Sequence, residues 1–152
     1  MAPILDVRNL QTHFFTKGGV LKAVDGVSFE IGAGEIVGLV GESGSGKSIT
    51  GFSILGLVDE PGRIVGGEIL FKGKDLKTLP VAEMQKMRGS SIAMIFQDPM
   101  MTLNPVLRIE TQMIEAIQTH DSSVSKDEAR QRSRDALGLV GISSPGERMR
   151  AY

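Results

Sequence analysis

The residues Gly41-Glu42-Ser43-Gly44-Ser45-Gly46-Lys47-Ser48 stand between a short apolar run, 36–40, and the segment 48–57, read as the helix that follows. A glycine-rich turn that closes on lysine and serine in that setting suits one arrangement, a strand that delivers a loop into the N-terminus of a helix. Glycines let the backbone turn successive N–H groups inward as an anion nest, and the helix N-terminus adds partial positive charge. In that geometry Lys47 reaches the β- and γ-phosphates of a nucleotide and the Ser48 hydroxyl ligates Mg2+. A plain glycine-rich turn accounts for Gly41, Gly44 and Gly46 but has no need of Lys47 and Ser48, so the strand–loop–helix setting favours the phosphate reading.

The rest of the chain reads as mixed α/β. Residues 5–15 carry strand-like apolar positions, 16–19 are a turn, and 20–24 and 27–31 return as antiparallel strands, making a small β layer. The runs 36–40 and 92–96 suit strands buried on both faces, as in a parallel sheet, and ligands of such sheets sit at the strands' carboxyl ends. Helices are expected over 48–57, 81–87 and 109–117, with a turn at 59–62 and a further strand at 67–71. A last helix is marked by the capping box Ser125-Lys126-Asp127-Glu128, an apolar face of Ala129, Ser133, Ala136, Leu137 and Val140, and Gly141 as its stop. The β layer and phosphate loop occupy about 1–97, and a mainly helical part about 98–152.

Composition narrows the partners. With 152 residues, 41% hydrophobic and 23% charged, one domain is the default and a real core is affordable. The absence of cysteine excludes disulfides and thiolate metal sites and favours a reducing compartment. A net charge of -1 with dispersed basic residues argues against nucleic-acid binding. No run approaches the ~20 apolar residues that span a bilayer, so a membrane role is peripheral and passes through a partner.

Gln97 closes the 92–96 run. Its amide suits a metal-bound water or, through its carbonyl, Mg2+ itself; a strand-end glutamine that bonds local backbone is the other reading. Phe14 and Phe15 are adjacent on a strand and point to opposite faces, so at most one stacks on an adenine ring, and core packing is the competing use of both. His13 and His120 have no second ligand at metal spacing and are assigned no role. The pair Met100-Met101 is either exposed in a loop or covered by a partner.

Taken together, Lys22-Ala23-Val24-Asp25-Gly26-Val27-Ser28-Phe29, the run from Gly38 through Ser48, and Ile95-Phe96-Gln97-Asp98-Pro99-Met100-Met101-Thr102-Leu103-Asn104-Pro105 resemble the ABC ATPases. The likeness is to the ATP-binding subunits of bacterial dipeptide and oligopeptide importers, a group that includes nickel importers. It implies an incomplete P-loop NTPase fold of the ABC ATPase type, an antiparallel β layer and the start of a helical subdomain. It further implies ATP and Mg2+ as ligands, Phe14, four residues after Leu10, as the adenine-stacking aromatic, and Gln97 as the Q-loop glutamine, catalytic with Lys47 and a ligand of Mg2+ with Ser48. Ile49 stands where such loops often carry a hydroxyl residue, which leaves its backbone N–H for the α-phosphate.

The partners implied are permease subunits in the membrane and a second ATPase subunit, identical or different, on the cytoplasmic face of a bacterial inner membrane. The family's signature segment, Walker B carboxylates and switch histidine are expected beyond Tyr152, so the isolated chain is expected to bind ATP without turning it over and to be poorly stable. A non-transport relative such as a DNA-repair or chromosome-structure ATPase is the competing reading, weakened by the lack of cysteines and of long heptad runs. A non-hydrolysing remnant is another.

Overall fold

Hydrogen bonding along the first third of the chain is dominated by one long hairpin. In the computed structural model, which describes residues 2–97 and 102–152, β1 (Leu5–Thr16) and β2 (Gly19–Ile31) pair antiparallel across the tight turn anticipated at 16–19. The strand β3 (Gly62–Phe71) pairs antiparallel with the other edge of β1, and the short β4 (Lys74–Asp75) completes a sheet of order β2-β1-β3-β4. Residues 20–31 therefore form one strand rather than two. The register passes from Leu10↔Val27 to Gln11↔Asp25, so Gly26 is the extra residue of a bulge that bends the strand without ending it. Similarly, the strand expected at 67–71 begins five residues earlier, at Gly62.

The helix α1 (Lys47–Leu55) follows the loop, and α2 (Val81–Met87) occupies the range expected from sequence. Val7, Leu10, Val24, Ile69 and Phe71 enter a core completed by Leu76 and Met84, with Ile49 and Ile54 of α1 packed against it. Alternation along β3 brings in Ile69 and Phe71, whereas Val7 and Leu10 both reach it because β1 is irregular between them, where Asn9 has φ 47°. A buried polar pair crosses that interface: the hydroxyls of Thr12 and Ser53 are 2.8 Å apart, and Ser53 also donates to Ile49 O at 2.7 Å.

Neither apolar run read as a buried strand is one. Residues 36–40 have no strand partner among the described residues, with Ile36 98% and Val40 90% exposed; 93–96 form no strand either, and Ile92 makes only an isolated bridge with Arg88. A parallel strand exists through the neighbours that pair with it and cover its faces, and composition can propose such a strand without supplying them.

The chain divides into two units, Met1–Ile92 and Ala93–Tyr152. The second is helical: α3 (Ile109–His120), α4 (Lys126–Leu139) and the short α5 (Pro145–Arg148). Ile114, Val124 and Ala129 form its small core, with Ile117 against them. The first turn of α3 is capped by backbone, Ile109 N–H donating to Ala151 O at 3.0 Å and Glu110 N–H to Met149 O at 2.8 Å.

At α4 the Ser125 hydroxyl accepts from Glu128 N–H at 3.2 Å, as the capping box requires, while the Glu128 carboxylate turns forward to Arg132. Gly141, with φ 77°, follows the helix end where a stop was expected. The face expected on α4 is shorter than the sequence suggested. Ala129 and Ser133 are buried and Leu137 half-buried, but Ala136 and Val140 are exposed, because among the described residues the apolar stripe outlasts what packs on it.

Leu10 is fully buried at the crossing of β1 with both neighbours. Leu10→Ala is expected to cost about 2–5 kcal/mol through lost transfer energy and the cavity left behind. A urea titration of the chain followed by circular dichroism reads this as a lowered midpoint at unchanged slope.

Candidate functional site

The loop 41–46 enters α1 through two residues that side chains resist. Gly44 has φ 82° and Gly46 φ 89°, both in the left-handed region. Gly46 has a second reason to be glycine: a Cβ there would overlap the carbonyl oxygen of Ala23 on β2 and lie 3.5 Å from Val24 Cγ2. The helix start is thereby seated on the sheet by backbone contact.

Within the helix, Thr50 N–H finds Gly46 O at 2.8 Å and the Thr50 hydroxyl donates to the same carbonyl at 3.0 Å. Thr50 is the first residue whose N–H is answered in helical register, which leaves the N–H groups of Lys47, Ser48 and Ile49 at the helix start. No side chain caps this end and no acidic residue occupies its first turn. A nine-residue helix that presents its positive end without an internal anion is arranged to receive one from outside.

The Lys47 ammonium folds back over the loop and donates to Gly41 O at 2.8 Å, to Glu42 O at 2.7 Å and to the Ser45 hydroxyl at 3.4 Å. It spans the concavity of the loop as a mobile cation bound only by neutral acceptors. Ser45 N–H donates to Glu42 O at 3.2 Å, closing the turn that contains Ser43. Ser48 is exposed on the first turn, its hydroxyl open to a cation, whereas the Ile49 side chain packs on the sheet and offers only backbone. Among the described residues no group of three or more His, Cys, Asp or Glu side chains could hold a metal by itself. A hard cation that keeps most of its shell from water and phosphate, as Mg2+ does, fits a single serine hydroxyl better than a protein cage.

Phe14 and Phe15 take opposite faces of β1, as alternation requires. Phe14 shares the face of Thr12, which carries α1, and is half-buried. Gly62 lies against its ring and against Val58, since a Cβ at Gly62 would stand 2.6 Å from Phe14 Cε1 and 2.8 Å from Val58 Cγ1. Phe15 lies on the other face, where the Arg63 guanidinium sits 4.0 Å from its ring centroid.

Gln97 belongs to the second unit and is exposed; Asp98, Pro99, Met100 and Met101 lie outside the described residues. His13 packs beside Asp25, whose Oδ1 is 3.7 Å from its Nε2, and that nitrogen is buried without a hydrogen-bond partner. His120 is exposed at the end of α3. Two features of the site escaped the sequence: the Thr12–Ser53 pair, and Arg88, whose guanidinium donates to Leu55 O and Gly56 O at 2.8 Å each at the far end of α1. Their partners lie 41 and 32–33 residues away, a range at which no periodicity gives a signal.

Comparison with known proteins shows the family to which the chain belongs. A family model described as "ABC transporter" matches residues 24–151. The chain is 48% identical over 153 residues to a dipeptide transport ATP-binding protein of Bacillus subtilis, covering 100% of this chain and 45% of the relative. It is also 48% identical to an oligopeptide transport ATP-binding protein of the same organism, covering 100% of this chain and 46% of the relative. A probable peptide ABC transporter ATP-binding protein of Sinorhizobium fredii is 46% identical over 150 residues, 98% of this chain and 44% of the relative. The chain thus spans somewhat under half the length of the curated relatives it matches.

Among solved structures, the dimeric structure of a bacterial ABC transporter cassette superposes with a TM-score of 0.82 at 23% identity, over 97% of this chain and 60% of that one. A dimeric post-hydrolysis state of an ATP-binding cassette bound to ADP and Pi gives 0.80 at 21% identity, with the same coverage. At these identities the likeness establishes the fold.

The two loop glycines separate conformation from contact. Gly44 has open space where a Cβ would go, so Gly44→Ala is expected to cost only the left-handed strain of about 1–2 kcal/mol. Gly46→Ala adds the overlap with Ala23 O and is expected to cost more and to shift the amide NMR signals of α1 and of residues 22–24. Equal losses in urea unfolding would contradict the seating of the loop on β2.

Proposed function

Because the chain belongs to the ABC transporter family, we propose that it is the nucleotide-binding part of a peptide importer's ATP-binding subunit, whose binding and hydrolysis of ATP drives solute through a membrane permease. The observation that carries this reading is the helix start at Lys47: an unopposed positive helix end, a left-handed glycine turn and one mobile ammonium converge on a single concavity. The relatives' names supply the solute class, since those proteins are dipeptide and oligopeptide transport ATP-binding proteins.

In this reading the N–H groups around Gly44 to Ile49 take the phosphate oxygens. Lys47 exchanges the carbonyls of Gly41 and Glu42 for the β- and γ-phosphates, replacing neutral acceptors with anionic ones that also pair with its charge. Ser48 and Gln97 hold Mg2+, which neutralises charge on the bound phosphates. Phe14 offers the adenine ring an edge of aromatic surface on the face of the sheet that carries α1, and the bonds to ribose remain unassigned.

Residues 1–97 act as β layer and nucleotide core and 98–152 as the start of the helical subdomain. No helix among the described residues is long and apolar enough to cross a membrane, so the proposed attachment is peripheral, through permease subunits. The proposed assembly pairs the subunit with a second, identical or different.

Lys47→Ala is expected to weaken Mg-ATP by roughly ten- to hundredfold, the worth of charge-assisted hydrogen bonds of about 1.5–3 kcal/mol. Mg-ATP at 100 times its dissociation constant stabilises the fold by about 2.7 kcal/mol, and the predicted weakening cuts this to about 0.4–1.4 kcal/mol at the same concentration, so a melting shift clearly smaller in the variant than in the wild type checks this. Equal shifts would remove Lys47 from the site. Phe14→Ala is expected to weaken ATP more than tripolyphosphate, since only ATP carries a ring to stack. If Phe15→Ala shows that selectivity and Phe14→Ala does not, the opposite face of β1 meets the base.

A further inference from the structure

The N-terminus of α1 presents the phosphate loop, and its C-terminus is held by a residue from another part of the unit. The helix ends at Leu55 with Gly56 as its cap, where Gly56 N–H and Leu57 N–H return to Ser53 O and Phe52 O at 3.1 and 2.8 Å. That closure satisfies the carbonyls of Phe52 and Ser53 and leaves those of Leu55 and Gly56 among the groups still to be answered at this end. The last turn of α1 contains no basic residue to complement its negative end.

Arg88 supplies both deficits. Its Nε donates to Leu55 O and its Nη2 to Gly56 O, each at 2.8 Å, so the planar fork meets two successive carbonyls and places a positive charge at the helix end. Arg88 is itself fixed. It is the C-cap of α2, its N–H donates to Met84 O at 3.1 Å, and Met84 is buried in the core beneath the helix. The neighbouring turn is closed by Gly89 N–H to Ile92 O at 2.9 Å and by the Arg88–Ile92 bridge. Gly56 leaves room for the fork, as a Cβ there would stand 3.2 Å from Nη2.

α1 is therefore pinned at three places: Gly46 on Ala23 O, Ser53 on Thr12, and Leu55–Gly56 on Arg88. A nine-residue helix is about 13.5 Å long, so a small tilt allowed at one end displaces the N–H groups at the other. We infer that Arg88 is a positioning residue for the phosphate loop, clamping the C-terminal end of α1 so that its N-terminal N–H groups and Lys47 hold a fixed aim. The ligand side of this inference rests on the nucleotide reading; the clamp on α1 does not.

The test uses the full 152-residue chain as wild type, Arg88→Gln, Arg88→Lys and the core variant Ile69→Val. Hydrogen exchange of the ligand-free proteins is read first, then titration with Mg-ATP and with magnesium tripolyphosphate. Arg88→Gln is expected to speed exchange of amides 50–55 by about tenfold or more, as loss of two charge-assisted bonds requires, while amides of Val7 and Ile69 keep their rates. It is expected to weaken both ligands by the same factor, about three- to tenfold, because the phosphate-binding groups are what lose their aim. Arg88→Lys, which keeps the charge and one bond, restores most of both effects, and Ile69→Val changes neither.

Unchanged exchange in α1, or exchange raised equally in α1 and the sheet, overturns the clamp. Faster exchange in α1 with unaltered affinity overturns the positioning of the loop. A wild type that binds neither ligand overturns the nucleotide reading, and the exchange rates then decide the clamp by themselves. Should Arg88→Gln not fold, Arg88→Lys carries the test with a smaller change, about twofold to threefold, confined to amides 50–55.

Discussion

The close approach of Gly46 to the carbonyl of Ala23 is the contact on which the rest of the first unit depends. It sets where α1 begins, and so where the N–H groups of its first turn and the root of the Lys47 side chain are found. Backbone packed on backbone leaves no rotamer to absorb error, so the position of the loop is as definite as that of β2. That strand is held in turn by the register with β1 and by the burial of Val24, which reaches the core from the next position. A side chain at Gly46 would force the helix off the sheet before it touched any ligand.

The same economy recurs in how the remaining helix ends are satisfied. The C-terminus of α1 takes its cap from Arg88, and the N-terminus of α3 takes its acceptors from the backbone of Met149 and Ala151. Short helices gain little from their own propensity, because nucleation costs more than a few turns return. Each is kept by partners outside itself. The first unit does this with a hydrophobic core spread across sheet and helices, the second with a small core of Ile114, Val124 and Ala129 and a network in which Gln112 bonds Asn104 and Leu107. Against these, the apolar stretch 36–40 leaves Ile36 and Val40 almost fully exposed, hydrophobic surface of the kind that marks a face meant to be covered.

Much of this was legible because it is decided within a few residues. The loop motif announces the helix that follows it, Ser125 with Glu128 marks the start of α4, Gly141 marks its end, and 81–87 forms a helix over the range expected. Where burial comes from elsewhere in the chain, the same reading failed. Residues 36–40 look like a core strand by composition, yet a strand is a relation between segments. The bulge at Gly26 likewise merged two anticipated strands, since whether a glycine ends a strand or is absorbed in it depends on the strand opposite.

The sequence by itself therefore determined the local form of the loop: which glycines turn the backbone, and where the helix that follows them begins. These follow from residue type and spacing over distances the chain cannot rearrange. The tertiary structure alone decided how the site is held and aimed. Ala23 stands under Gly46, Thr12 under Ser53, and Arg88 behind Leu55 and Gly56, pairs separated by 23 to 41 residues. Such contacts leave no periodic trace, because each is made by the packing of elements whose mutual approach is set by the whole core and not by any local stretch.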